Sequence, residues 1–139
     1  MPNNCSFCKI AQGNNKNDLI IWENDFACCF LPLEMEVFGH VLIIPKKHFK
    51  NIFDIDEKNM LELAKGIKLI SDSLKKKLKA DGINIMNANG KSSGQSVPHL
   101  HFHIMPRFKN DGLDLWPKIP KNDLDRKAIY LKLKQEVFN

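Results

Sequence analysis

The sequence has no long hydrophobic run: its longest aliphatic stretch, Val41 to Ile44, falls far short of the ~20 residues that span a bilayer. Its opening, Met1-Pro2-Asn3-Asn4, carries neither a basic nor an apolar region, so neither an export signal nor a membrane partner is expected. It also has no internal repeat, no low-complexity tract and no Pro/Gly/Ser linker long enough to divide it, which makes residues 1–139 a single domain. Cysteine is scarce. Four of them without an export signal indicate reduced thiols and a cytoplasmic location rather than disulfides. Charge of one sign hardly dominates: 21 basic against 16 acidic residues leave +5, gathered in Lys75-Lys76-Lys77, Lys79 and the stretch from Lys118. None of these basic runs is interleaved with aromatics, so solvated helix faces account for them and no nucleic-acid partner is expected.

What is present suffices for a core. With 43% apolar and 27% charged residues over 139 positions, folding buries about two-thirds of the unfolded chain's surface and needs no covalent staples. Leu19 to Trp22 and Phe26 to Leu31 read as two strands joined by a polar turn in which Asn24 and Asp25 are the turn formers. His40 to Ile44 is a third strand, closed by Pro45. Asp54 or Asp56 caps a helix whose Met60, Leu63, Ala64, Ile67, Ile70, Leu74 and Leu78 follow the 3.6-residue period until Asp81-Gly82. Ile83 and Ile85 mark a fourth strand, residues 89–94 a loop, and Val97 to Met105 a fifth strand that Pro106 stops. The tail from Asn122 to Phe138, with Leu124, Ala128, Leu131 and Val137, reads as a C-terminal helix. Hairpins, a helix and a further hairpin define an α+β fold: an antiparallel sheet of about five strands with a long central helix.

Three of the five histidines fall within five residues. His99, His101 and His103 alternate with Leu100, Phe102 and Ile104, and alternate residues of a strand share a face. Neighbouring imidazoles are then attached ~6.6 Å apart, close enough to act on one ligand group. Cys5 and Cys8 have a C-x-x-C spacing that is open between metal binding, redox chemistry and ordinary buried thiols. Cys28 and Cys29, adjacent in a strand, point to opposite faces and suit small apolar roles.

The run from Gly94 to Arg107, Gly-Gln-Ser-Val-Pro-His-Leu-His-Phe-His-Ile-Met-Pro-Arg, resembles the signature of the histidine triad (HIT) superfamily. Gly39 to His48 resembles the family's other characteristic block, and Cys5 to Ile10 its start. The resemblance implies a HIT-like fold and a nucleotidyl hydrolase of the Hint or bacterial branch. Such an enzyme acts at the α-phosphorus of nucleoside 5′-phosphoramidates or related mononucleotide derivatives; a dinucleoside polyphosphate hydrolase, or a zinc-stabilised nucleotide-binding module with incidental turnover, is the alternative. It implies His101 as nucleophile, His103 and Ser96 as stabilisers of the phosphate oxygens, and His40 as their support. Asn89, Gly94, Gln95, Ser96 and Val97, with His101 and His103, would then hold the nucleotide substrate. It further implies a structural Zn2+ bound by Cys5, Cys8, His48 and His99, and a homodimer. Two positions depart from the pattern: where the family usually carries an acidic or amide group on the ribose, eight residues before His40, this chain has Pro32, and Ala88 replaces an amide eleven residues before His99. The departure implies weak discrimination between ribo- and deoxyribonucleotides, or a non-standard substrate, with the phosphate chemistry intact.

Overall fold

The computed structural model describes residues 4–15, 17–116, 118–119 and 125–137. Helix α1 (Ser6–Ala11) comes first, followed by strands β1 (Ile20–Glu23), β2 (Ala27–Phe30) and β3 (Val41–Pro45). After these come the long helix α2 (Glu57–Leu78), strands β4 (Gly82–Met86) and β5 (Phe102–Arg107), and helix α3 (Arg126–Val137). The strands form one antiparallel sheet in the order β1-β2-β3-β5-β4, so the expected α+β architecture holds. Among the described residues no helix is long and apolar enough to cross a membrane.

Local chemistry explains most of the element ends. Asn24 folds the β1–β2 turn by accepting the N–H groups of Phe26 and Ala27 on its side-chain oxygen, both at 2.8 Å. Of the two candidate caps for α2 it is Asp56 that acts, accepting the Asn59 N–H at 2.9 Å, while Asp54 accepts from Lys50 in the preceding loop. The far end differs from the expectation at Asp81-Gly82: Lys79 itself takes the left-handed conformation (φ 56°), and Gly82 opens β4. Ala64 is exposed rather than part of the apolar stripe; Gly66 is buried in its place, where the helix closes on Ile43 and Trp22.

The sheet separates two clusters. On one face α2 lays Leu63, Ile70 and Leu74 over Cys29, Val41, Ile43, Leu100 and Ile104. On the other, Cys5, Phe7 and Cys8 of the α1 region meet Cys28, Phe30, Leu42 and Ile44. Cys28 and Cys29 thus face opposite ways, as expected of neighbours in a strand. α1 was not foreseen, since six residues are too few for a helical period to show.

The expected fifth strand is shorter at its start and longer at its end. Residues 97–99 form a bend and 100–101 lie outside the ladder, because Pro98 has no N–H and the neighbouring amides bond elsewhere: His99 N–H to Val97 at 2.8 Å, closing a tight turn around Pro98, and Leu100 N–H to Phe49 at 2.6 Å. Pro106 does not stop β5 but lies inside it. Pairing with β3 runs only as far as Val41 opposite Ile104, so Pro106 has a strand neighbour, Ile83 of β4, on one side. Pro45 is likewise the last residue of β3, paired with Ala27.

The C-terminal helix is present as α3, with Leu124 and Phe138 of the expected span outside the described residues. Its Ile129, Tyr130, Leu131 and Leu133 are exposed, as is Trp116 before it. Gly39, just before His40, adopts φ 77°, and a Cβ there would stand 2.4 Å from Leu78 Cδ1 and 3.2 Å from Pro106 Cγ. Only glycine lets the chain enter β3 this close to the end of α2.

Candidate functional site

The segment that leads into β5 places His99 and His101 on the α1 face, and their backbone and ring bonds fix each tautomer. His99 Nε2–H donates to the Pro45 carbonyl at 2.9 Å, which leaves the Nδ1 lone pair free. That atom lies 3.4 Å from Cys5 Sγ and 3.6 Å from Cys8 Sγ, and His48 Nδ1 lies 3.3 Å from Cys8 Sγ. The four ligand atoms of Cys5, Cys8, His48 and His99 all fall within 4.8 Å of one another. A tetrahedron with metal–sulfur bonds near 2.3 Å and metal–nitrogen bonds near 2.0–2.1 Å has edges of roughly 3.3–3.8 Å, so this set fits a metal ion that these side chains could hold. Cys8 sits in the first turn of α1 and Cys5 at its N-cap, which brings both thiols to one point. Burial and the neighbouring Cys5 thiol push the Cys8 thiol up to about 11, so without a metal it is protonated. Burial, helped by His48 and His101 and opposed by the Pro45 bond, brings His99 down to about 4 and keeps it a neutral donor.

His101 is oriented the opposite way. Its Nδ1–H donates to the carbonyl of His99 at 2.8 Å, so Nε2 carries the free lone pair. The His101 carbonyl accepts from Asn87 Nδ2 at 2.7 Å, and the Phe7 ring stands edge-on to both His101 (5.3 Å) and His99 (5.9 Å). A second chain of bonds sets His103. The Glu36 N–H donates to His40 Nδ1 at 3.2 Å; His40 must then carry its proton on Nε2, which lies 2.9 Å from His103 Nδ1 and donates to it. His103 in turn bears its proton on Nε2 as an outward-facing donor. The His101 and His103 rings are 5.1 Å apart. A free lone pair and an N–H donor therefore stand side by side, an arrangement that suits attack on phosphorus with the donor on a phosphate oxygen.

Burial, with His101 and His40 alongside and Glu36 opposing, lowers His103 to about 4; burial lowers His40 as well. Both are neutral near pH 7. The unfolded chain takes up the His103 proton near pH 6.5 while the folded one resists until about pH 4, so this stability is full above that window and falls as the pH descends through it. Urea unfolding at pH 7.0 and 5.0 should show this loss, and His103→Gln should make the decline shallower.

The loop of residues 89–96 is built largely for its own shape. Gln95 donates through Nε2 to the carbonyls of Lys50 (2.6 Å) and Val97 (2.9 Å) and accepts the Gly90 N–H on Oε1. Asn89 accepts the Ile52 N–H and donates to Asn87. Gly90 (φ 90°) and Gly94 (φ 84°) make the turn, Ser96 is exposed, and Val97 is half-buried against the α1-face cluster. Gly94 also lines a 260 Å³ cavity with His103, Asn87, Ala88 and Glu36. A larger cavity of about 660 Å³ opens beside α1, between Ser6, Lys9, Ile10, Phe30, Leu31 and Leu33, and sequence reasoning did not find it because its wall is assembled from two separate segments, one from residues 5–18 and one from 30–33.

A five-stranded antiparallel sheet with alternating histidines leading into and opening its strand β5 places the chain in the class of histidine triad proteins. The HIT domain family model matches residues 13–110, and the chain belongs to that family. The solved structure of a Streptococcus mutans protein superposes with a TM-score of 0.87 at 32% identity, covering 100% of this chain and 88% of that one. The adenosine 5′-monophosphoramidase of Saccharomyces cerevisiae is 34% identical over 124 residues, 88% of this chain and 75% of its own length. A zinc-bound histidine triad protein from Mycobacterium smegmatis is 28% identical, with a TM-score of 0.75 and coverage of 96% and 97%.

Proposed function

We propose that the chain, as a single HIT domain over residues 1–139, hydrolyses nucleoside 5′-phosphoramidates or related mononucleotide derivatives at the α-phosphorus. The observation that carries this is the pair of tautomers: the His99 carbonyl leaves His101 Nε2 as a lone pair, and the His40 bond leaves His103 Nε2 as a donor. His101 Nε2 attacks phosphorus, the phosphorus–nitrogen bond breaks, and the leaving amine takes the bonding pair and a proton from water. The adduct is cationic, with Nδ1–H still bonded to the His99 carbonyl, whose dipole favours that charge. Water then attacks phosphorus, giving up a proton that neutralises the hydroxide left by the first step, the bond to Nε2 breaks with its pair returning to the ring, and the nucleotide monophosphate and neutral imidazole are released. His103 Nε2–H holds a phosphate oxygen through both steps, and Ser96, with the backbone around Gly94, adds a hydroxyl donor.

The 660 Å³ cavity beside α1 has the volume and the apolar wall, Ile10, Phe30, Leu31 and Leu33, to take a nucleoside. Pro32 lies between two of these residues and offers no acceptor to a ribose hydroxyl. Zn2+ at Cys5, Cys8, His48 and His99 would be structural: with four protein ligands it has no open position, and it would tie the start of α1 to the histidine segment. A reducing cytoplasm keeps those thiols available. The test is mass spectrometry of protein quenched during turnover, which should find a nucleotidyl adduct on His101; steady turnover with no adduct trapped under any condition would oppose the mechanism.

The assembly we propose is a homodimer through the edge strand β4, where Ile85 is 50% and Met86 38% exposed and the outer backbone groups have no strand neighbour among the described residues. Light scattering at micromolar concentration should give about twice the 16.0 kDa chain mass, and the monomer mass would count against it.

A further inference from the structure

The 260 Å³ cavity next to His103 contains one group that neither the fold nor the attack on phosphorus requires: the side chain of Glu36. The backbone N–H of Glu36 orients His40, and any residue but proline would supply that. Its carboxylate does something different. It is exposed, it lines the same cavity as His103, Asn87, Ala88, Ser93 and Met86, and it acts electrostatically on both His40 and His103. His103 is neutral there, so Glu36 is the one charged group among the described residues that line this cavity.

We infer that Glu36 selects the leaving group, favouring amines that carry a second, positive charge and disfavouring anionic ones. The inference rests on the phosphoramidate reading above and refines it. Once a phosphate oxygen sits on His103 Nε2–H and the nucleoside occupies the cavity beside α1, the substrate can continue from phosphorus into the space that His103 and Glu36 share. A carboxylate lining that space attracts an ammonium and repels a carboxylate, sulfate or polyphosphate. Unit charges some 7 Å apart at an effective dielectric constant near 40 differ enough to shift kcat/KM about sevenfold in each direction, hence roughly 50-fold between a cationic and an anionic leaving group. The effect is one of field rather than contact, and added salt screens it.

The experiment measures kcat/KM for three adenosine 5′-phosphoramidates of similar length, made from 1,3-diaminopropane, n-butylamine and β-alanine. Wild-type protein should prefer the diamine over the β-alanine compound by about 20- to 50-fold, with the butylamine compound between them, and 0.5 M salt should compress the series. Glu36→Gln should bring the ratio to within about threefold, and Glu36→Lys should invert it. A ratio on a single preparation does not depend on how much of the variant is active, so partial misfolding cannot imitate the result. Turnover of all three by wild type with a ratio near one, or a ratio unmoved by either substitution, overturns the role of Glu36 while the hydrolase reading stands. No turnover of any of the three, with no adduct on His101, overturns that reading and this inference together.

Discussion

His101→Asn is expected to cut kcat/KM for a phosphoramidate substrate by at least about 10³-fold, because it removes the attacking atom and little else. Asparagine is the informative replacement. Its Nδ2 sits where imidazole Nδ1 was and can still donate to the His99 carbonyl, so the buried acceptor keeps its partner. Alanine would leave that carbonyl unpaired and open a gap beside Phe7, confusing a chemical loss with a structural one. The asparagine variant should unfold within about 1 kcal/mol of wild type and should still bind nucleotide monophosphate, since the His103 donor and both cavities remain. Activity within tenfold of wild type would remove His101 from the mechanism.

Cys8→Ser should have the largest effect on stability. Wild-type protein reconstituted with zinc is expected to hold one ion per chain, and the variant none. A ligand present at a thousand times its dissociation constant stabilises by about 4 kcal/mol, so losing it should lower the thermal midpoint by roughly 10 °C or more. Chelation of wild type should reproduce the drop. Because the Cys8 thiol holds its proton up to about 11 in the metal-free state, uptake releases protons and weakens steeply as the pH falls. Metal analysis that finds no zinc in carefully reconstituted wild type would refute the site. His101→Asn should keep the ion, which separates the two roles of neighbouring histidines.

The faces of the histidine segment were legible from alternation alone, although most of the expected strand lies outside the ladder. The bend at 97–99 ends before the alternation is lost, so Leu100, Phe102 and Ile104 reach the α2 face while His99 and His101 remain opposite. The start of the strand was not legible, because it depends on where two amides find acceptors: Leu100 bonds to Phe49, fifty-one residues away in the chain. The helix cap was confined to two aspartates and settled by which of them faces Asn59. Gly66 was invisible as a contact because a glycine contributes nothing to a hydrophobic period, yet a bare backbone is what lets α2 approach Ile43. Glu36, the Phe7 contact and the cavity beside α1 were missed for a common reason: each joins segments far apart in sequence, and no local pattern records which of them meet.

The acceptor that fixes the tautomer of His101 belongs to the main chain of His99 rather than to a side chain. No single base change can delete it. Position 99 can lose its imidazole, and with it a member of the candidate metal cluster, while position 101 keeps the lone pair on Nε2, provided the backbone stays in place. The proposed nucleophile is thus insulated from point mutation at its neighbour and vulnerable to displacement of the chain. Descendants of this sequence could lose the cysteine–histidine cluster and keep the same imidazole tautomer at position 101, so long as other contacts came to hold the start of α1 against the sheet.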